Sequence, residues 1–299
     1  MTNLASEPSL SALVAEELAL PADPRVTAMA VAVAALYPGA ARAVLFYGSC
    51  LREQNLDGLM LDFYLIVSSY REAYGRGWYA FANRLVPPNV FPFEHEGLAA
   101  KYAVLSEADF ARENGPEAGT VSVWARFAQP SRLAWAKDEA ARAAAVAAVS
   151  RAAPTLLGFA LPMVDEAERG DALAVWRRGF ELTYDSELRA ERTGKSGSIV
   201  DTDPERYRRF GAAALKLAQP LTAEKARKRW RRFRRKGKMM SLVRLAKATT
   251  TFAGGVDYLA WKINRHSGAG IVVKPWQRRW PILGALTLLP RLLRRGAIR

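Results

Sequence analysis

The sequence predicts a mixed α/β fold of the α+β kind, and three observations predict it. Two apolar runs of strand length, one ending at Tyr47 and one over 63–67, bracket a Gly48-Ser49 turn and a polar connection. Ala-rich stretches of helical period dominate after residue 107. From residue 221 onward the composition turns abruptly basic. Together they divide the chain into 1–106, 107–220 and 221–299.

Residues 1–24 read as an acidic amphipathic helix, with Leu10, Leu13, Val14 and Leu18 on one face, ending near Pro21 and Pro24. From about 25 to 106 the pattern is helix, strand, Gly-Ser turn, helix, strand. A Pro/Asn loop over 86–92 then precedes a strand at 101–105. Residues 107–180 read as largely helical, with an Ala-rich stretch at 132–152 and another at 155–180. Residues 181–200 suggest a return to strands, a hairpin or wing turning at 194–197. The segment 254–268, with glycines at both ends, reads as a short helix. No internal repeat is visible.

Composition narrows the function classes. The 299 residues are half hydrophobic, enough for a sizeable core. The lone cysteine, Cys50, excludes an internal disulfide and fits a reducing compartment. His95 and His266 have no partners at zinc-ligand spacing. The first twenty residues carry three glutamates and no lysine or arginine, which argues against a secretory or transit peptide. The Ala/Arg-rich composition suggests a bacterial chain.

The charge is lopsided. The chain nets +15, of which residues 221–299 supply +19 and the remainder −4. Residues 225–238 hold ten basic residues in fourteen, interleaved with Trp230 and Phe233. Such a density calls for anions, and nucleic acid and anionic lipid are the two candidates; a packed basic helix is the plain alternative. Trp276 and Trp280 beside Arg278 and Arg279, followed by the apolar run 282–289, have the character of an interfacial segment. The stretch between Pro281 and Pro290 is far short of the ~20 residues needed to span a bilayer, and no uninterrupted apolar run reaches that length. A peripheral protein on an anionic leaflet is favoured over an RNA binder.

The chemistry concentrates in 44–67. A Gly-Ser turn after a strand can offer backbone N–H groups and a hydroxyl to a phosphate chain. A carboxylate on the neighbouring strand, Asp62, can hold a divalent metal against that chain. This is the working arrangement of the nucleotidyltransferase fold, except that Tyr64 stands where a second carboxylate is usual.

These residues resemble the mitochondrial-type phosphatidate cytidylyltransferases, the translocator assembly and maintenance family. Gly48, Ser49, Gln54 and Met60–Phe63 match that family's YGSG, its following glutamine and its MLDF, with Cys50 in place of a glycine. Lys101-Tyr102 with Val104 and Ser106 is similar to its KYGVIS, and Ala125-Arg126-Phe127 with Pro130 to its GRLxKP, Gln129 replacing a lysine. The run 183–189 is similar to its SYSGDFR, which puts Glu187 and Arg189 on the family's aspartate and arginine, and Lys195 falls on a lysine. The blocks are scattered over roughly 40–210.

The resemblance implies a nucleotidyltransferase domain, a helical winged-helix-like domain and a basic membrane-associating tail. It implies CTP and phosphatidic acid as substrates, CDP-diacylglycerol and pyrophosphate as products, and Mg²⁺ as cofactor, at the cytoplasmic face of a bacterial inner membrane. Asp62, Glu187, Lys101, Arg189 and Lys195 would be catalytic, with Asp62 and Glu187 at the metal. Tyr47, Gly48, Ser49, Gln54, Arg126 and Tyr184 would bind substrate. The rivals are a nucleotide-tailing enzyme using the basic tail on RNA, which ordinarily keeps both carboxylates, and a catalytically silent membrane-surface protein.

Overall fold

A computed structural model describes residues 8–53, 55–75, 77–187, 195–251 and 272–276. The chain is α+β: a five-stranded mixed sheet with helices on both faces. The strands are β1 (Ala41–Tyr47), β2 (Met60–Val67), β3 (Asn89–His95), β4 (Leu98–Ser106) and β5 (Ser131–Ala136), in the order β3-β4-β2-β1-β5. Only β2 and β4 run parallel, with Asp62 opposite Lys101; β1 and β2 are antiparallel, with Tyr47 opposite Asp62.

Strand alternation sends successive side chains to opposite faces, and the two cores follow that rule. Val44, Phe46, Leu61, Phe63, Leu65, Tyr102 and Val104 point to one face, covered by helix α2 (Pro24–Ala35) through Val26, Met29, Ala30 and Val33. Leu45, Tyr64, Ile66, Ala103 and Leu105 point to the other face and join the larger core. That core also takes Leu10, Leu13, Val14 and Leu18 of α1 (Leu10–Ala19), the four positions the helical period singles out.

After β2 come α3 (Tyr70–Tyr74) and α4 (Trp78–Leu85); after β4 come α5 (Glu107–Glu113) and α6 (Trp124–Phe127). The helices α7 (Glu139–Val149), α8 (Ala152–Ala160), α9 (Ala172–Tyr184), α10 (Lys195–Thr202) and α11 (Pro204–Leu215) complete the middle of the chain. Residues 139–163 are apolar and long enough to cross a membrane by length and composition, but most of that stretch is buried inside the protein, as a core helix would be.

Four sequence expectations are corrected. The Gly48-Ser49 turn leads into a single 3₁₀ turn, Ser49–Arg52, rather than a helix. Residues 89–95 are a strand hairpinned onto β4 rather than loop. Part of the supposed Ala-rich helix at 132–152 is β5, which pairs with β1 and so belongs to the sheet despite lying past residue 106. The supposed hairpin at 181–200 has no strand among its described residues: α9 runs to Tyr184, a turn follows at 185–187, and α10 starts at Lys195.

The basic segment is also recast. Residues 223–251 form one helix, α12 (Ala223–Thr251), whose apolar stripe is built into the larger core. Ala226, Trp230 and Phe233 are buried, and the Trp230 indole N–H donates to the Phe159 carbonyl at 2.9 Å. Gly237 lies against the Ser186 carbonyl, leaving no room for a Cβ. The cations at 227, 228, 231, 232, 234, 235 and 238 face outward. Trp276 is partly exposed; Trp280, the apolar run after it and the 254–268 segment lie outside the described residues.

Candidate active site

Alternation along the sheet fixes which groups can meet. Asp62 and Tyr64 are two apart on β2, and Tyr47 and Lys101 share their face on β1 and β4, beneath α6. The Lys101 ammonium sits 3.0 Å from an Asp62 oxygen, both side chains partly open to solvent. Gly48 closes the arrangement at the end of β1. Its φ of +98° is a conformation that residues with a Cβ rarely adopt, and a Cβ there would stand 3.4 Å from Asp62 Oδ2. The turn therefore brings main chain close to the carboxylate, with Ser49 exposed just beyond it. Cys50 is buried beneath, its thiol donating to the Met60 carbonyl, and burial raises its pKa.

Deeper on the same face lies a second pair. Arg126 Nη1 donates to Glu187 Oε1 at 3.4 Å and also bonds the Ser122 carbonyl. Burial opposes the Arg126 charge, but Glu187, with Tyr64, Tyr47 and Asp62 nearby, lifts its pKa above the ordinary guanidinium value. Tyr47 and Tyr64 pack at a tilt between the pairs, ring centroids 5.3 Å apart, with Phe127 edge-on 5.2 Å from Tyr64. Burial raises both phenol pKa values, and the Asp62 charge adds to the effect. Tyr64, two residues from Asp62, thus fills its place on this face with aromatic packing.

A third cation went unread in the sequence. Arg244 of α12 donates from Nη1 to Ser122 Oγ at 2.7 Å and from Nε to the Pro87 carbonyl at 3.0 Å. Burial lowers its pKa, and the Arg126 charge lowers it further. Its only sequence signal was its place in a helix crowded with other cations. Among the described residues, Asp62, Lys101, Arg126, Glu187 and Arg244 place three cations beside two carboxylates, with Glu113 also acting on Arg244.

The remaining predicted residues divide. Tyr184 ends α9, half-buried, three residues before Glu187. Asp185 is exposed while Glu187 is buried. Lys195 opens α10. Gln54 and Arg189 lie outside the described residues. Among the described residues no group of three or more Asp, Glu, His or Cys side chains converges as a metal cage.

No protein-family model matches this chain, and no curated protein sequence matches it at a significant level.

Proposed function

We propose that the chain is a phosphatidate cytidylyltransferase, transferring CMP from CTP to phosphatidic acid at a membrane surface and releasing pyrophosphate. The observation that carries this is the Gly48 turn held against Asp62, with Lys101 at 3.0 Å on the same face. It gathers main chain, a carboxylate and a cation at one end of the three inner strands, the groups a triphosphate needs.

The donor set suits Mg²⁺ as an ion shared with substrate. Mg²⁺ is usually held by one or two carboxylates plus substrate phosphates rather than by an all-protein cage, and Asp62 is a partly exposed carboxylate beside a phosphate-type turn. When bound, Mg²⁺ would supply charge neutralisation at the triphosphate. Glu187 would have to leave Arg126 to become a second ligand; the role its geometry favours is holding that guanidinium.

A phosphatidate phosphate oxygen forms the new bond to the α-phosphorus of CTP. The bond from that phosphorus to the bridging oxygen breaks, and pyrophosphate leaves with the electron pair. No strong base is required, because a phosphate monoester is largely ionised at neutral pH. Asp62 would hold the ion, and Lys101 beside it would neutralise the leaving group. Arg126 and Arg244 supply positive potential on the lipid side, and Gly48 and Ser49 orient the triphosphate. The work is positioning and charge, as in other phosphoryl-group transfers.

The test is formation of CDP-diacylglycerol from labelled CTP and phosphatidate with Mg²⁺. Asp62→Asn should cut turnover by roughly 100-fold or more while unfolding as wild type does, since Asp62 and Lys101 are partly exposed. Turnover within twofold of wild type would remove Asp62 from the mechanism. Absence of product from the wild-type protein would overturn the function.

A further inference from the structure

We propose that α4 is a membrane-docking element, placing its outer face in the headgroup region of an anionic bilayer. This rests on the membrane-surface part of the proposed function and assigns it to a segment far from the basic helix in sequence.

The sequence of α4, WYAFANRL, repeats apolar residues at helical spacing, yet it is the outward side that carries the largest of them. Trp78, Phe81 and Leu85 are 61%, 59% and 67% exposed, and the Trp78 and Phe81 rings are 5.9 Å apart. The helix cannot roll to hide them. Asn83 on the inner side is buried, donates to the Val104 carbonyl at 2.9 Å and accepts from the Asn89 N–H. Tyr79, on the flank, touches Phe91 and Tyr74 while staying 41% exposed. Burying three such side chains is worth about 1.5–3 kcal/mol each, and a fixed apolar face of this kind usually marks an interaction site.

Charge selects the occupant. Beside Phe81 runs a groove of about 600 Å³ whose walls include Ser69, Arg71, Arg84 and Ser106. Asp109 accepts from Tyr70 and pairs with Arg112, whereas Glu72, which accepts from the Ser68 hydroxyl, keeps its charge, so Arg71 and Arg84 outweigh it by one. Arg71 and Arg84 are exposed and make no ion pair with another described residue. Aromatic rings at the level of lipid headgroups, with guanidinium groups beside them, are the composition of an interfacial helix.

The Arg244–Pro87 hydrogen bond ties α12 to the chain two residues beyond Leu85. That places the exposed Val243, next to Arg244, at the same end of the molecule. The Asn83 anchor meets β4 at Val104, about 10 Å along the strand from Lys101 by strand rise. The helix therefore docks the protein without touching the catalytic groups.

The experiment uses the full chain with vesicles of phosphatidylcholine alone or with roughly a third phosphatidylglycerol, an anionic lipid that is not the substrate. Changing Trp78, Phe81 and Leu85 together to Ser should lower partitioning onto the anionic vesicles about tenfold or more. An environment-sensitive dye on Phe81→Cys, selective because Cys50 is buried, should shift to the blue when those vesicles are added. Wild-type partitioning by the triple variant, or a dye that stays in water while the protein pellets, overturns the proposal. So does a wild-type protein that ignores both vesicle types, including the case where the same substitutions turn a dimer into a monomer. Turnover of CTP with a short-chain, water-soluble phosphatidate reads the catalytic proposal separately and should survive in the triple variant. If no form turns over CTP while vesicle binding still depends on α4, the enzymatic function falls and the docking element stands.

Discussion

Helices α4 and α12 reverse what their compositions suggest. The 29-residue α12 is crowded with lysine and arginine, yet its aromatic residues Trp230 and Phe233 are each about 1% exposed. The eight-residue α4 holds one cation, Arg84, and leaves its tryptophan and phenylalanine in solvent. Period explains the difference. In α12 the apolar residues recur at spacings of four, three and four, which lays them on one stripe while the cations fill the rest of the circumference. Arg229 crosses between the two, stacking 4.8 Å over Phe233 while its guanidinium bonds the Pro116 and Ala118 carbonyls. In α4 the inward side is taken by a small residue and a hydrogen-bonding one, Ala82 and Asn83, and the bulk is left outside.

The comparison breaks first at its two tryptophans. Trp230→Ala should cost about 3–5 kcal/mol in urea unfolding, whereas Trp78→Ala should stay within about 0.5 kcal/mol. Equal effects would mean that α12 does not pack as described. By the same logic, cutting the chain at residue 221 should unfold the larger core rather than merely detach a tail, which circular dichroism would register.

High pH should separate the two helices next. Beneath α4 lie Tyr37, Tyr74 and Tyr102, with pKa values raised mainly by burial; the bed of α12 contains Trp124 and Phe159 instead. Because the phenols ionise more readily in the unfolded chain, their stabilising effect is intact below the unfolded value of about 10. It is lost progressively as pH rises above that value. Stability measured in urea should therefore drop between pH 8 and 11, and Tyr102→Phe should shrink that drop. An unchanged drop would show that Tyr102 ionises in the folded protein as it does in water.

The smallest effect belongs to the outward cations. Replacing Arg231, Arg234 and Arg235 with Gln should alter stability by no more than about 0.5 kcal/mol each. Relief of mutual repulsion should make the change slightly favourable at low salt, and the benefit should fade as salt screens it. A large loss instead would mean that these side chains carry contacts of their own.

Much of the sheet's centre was legible because its residues are locally extreme. The apolar runs around Gly48-Ser49 mark β1 and β2, and Asp62 at the head of an apolar strand is conspicuous wherever it folds. Strand β5 was hidden because SRLAWA is short, only half-buried and runs straight into an Ala-rich helix. The supposed wing at 181–200 was misread because Gly-Lys-Ser-Gly has turn composition, but Lys195 and Ser196 open a helix there. Arg126 and Glu187 were each singled out, yet 61 residues separate them, and no local pattern announces that they pair. Arg244 was masked by its neighbours, since nothing in a basic run tells the one inward cation from the outward ones.

Gly237 bears on how this sequence can drift. The Ser186 carbonyl fills the space where a side chain would be, one residue before Glu187. Lysine and arginine can exchange along the outward surface of α12 with little consequence, so charge content is a poor badge of kinship here. The spaced set Ala226, Trp230, Phe233 and Gly237 has no such freedom, because each member meets a fixed wall. Distant kin should be recognised by that stripe in step with Glu187, even where the basic residues have been reshuffled.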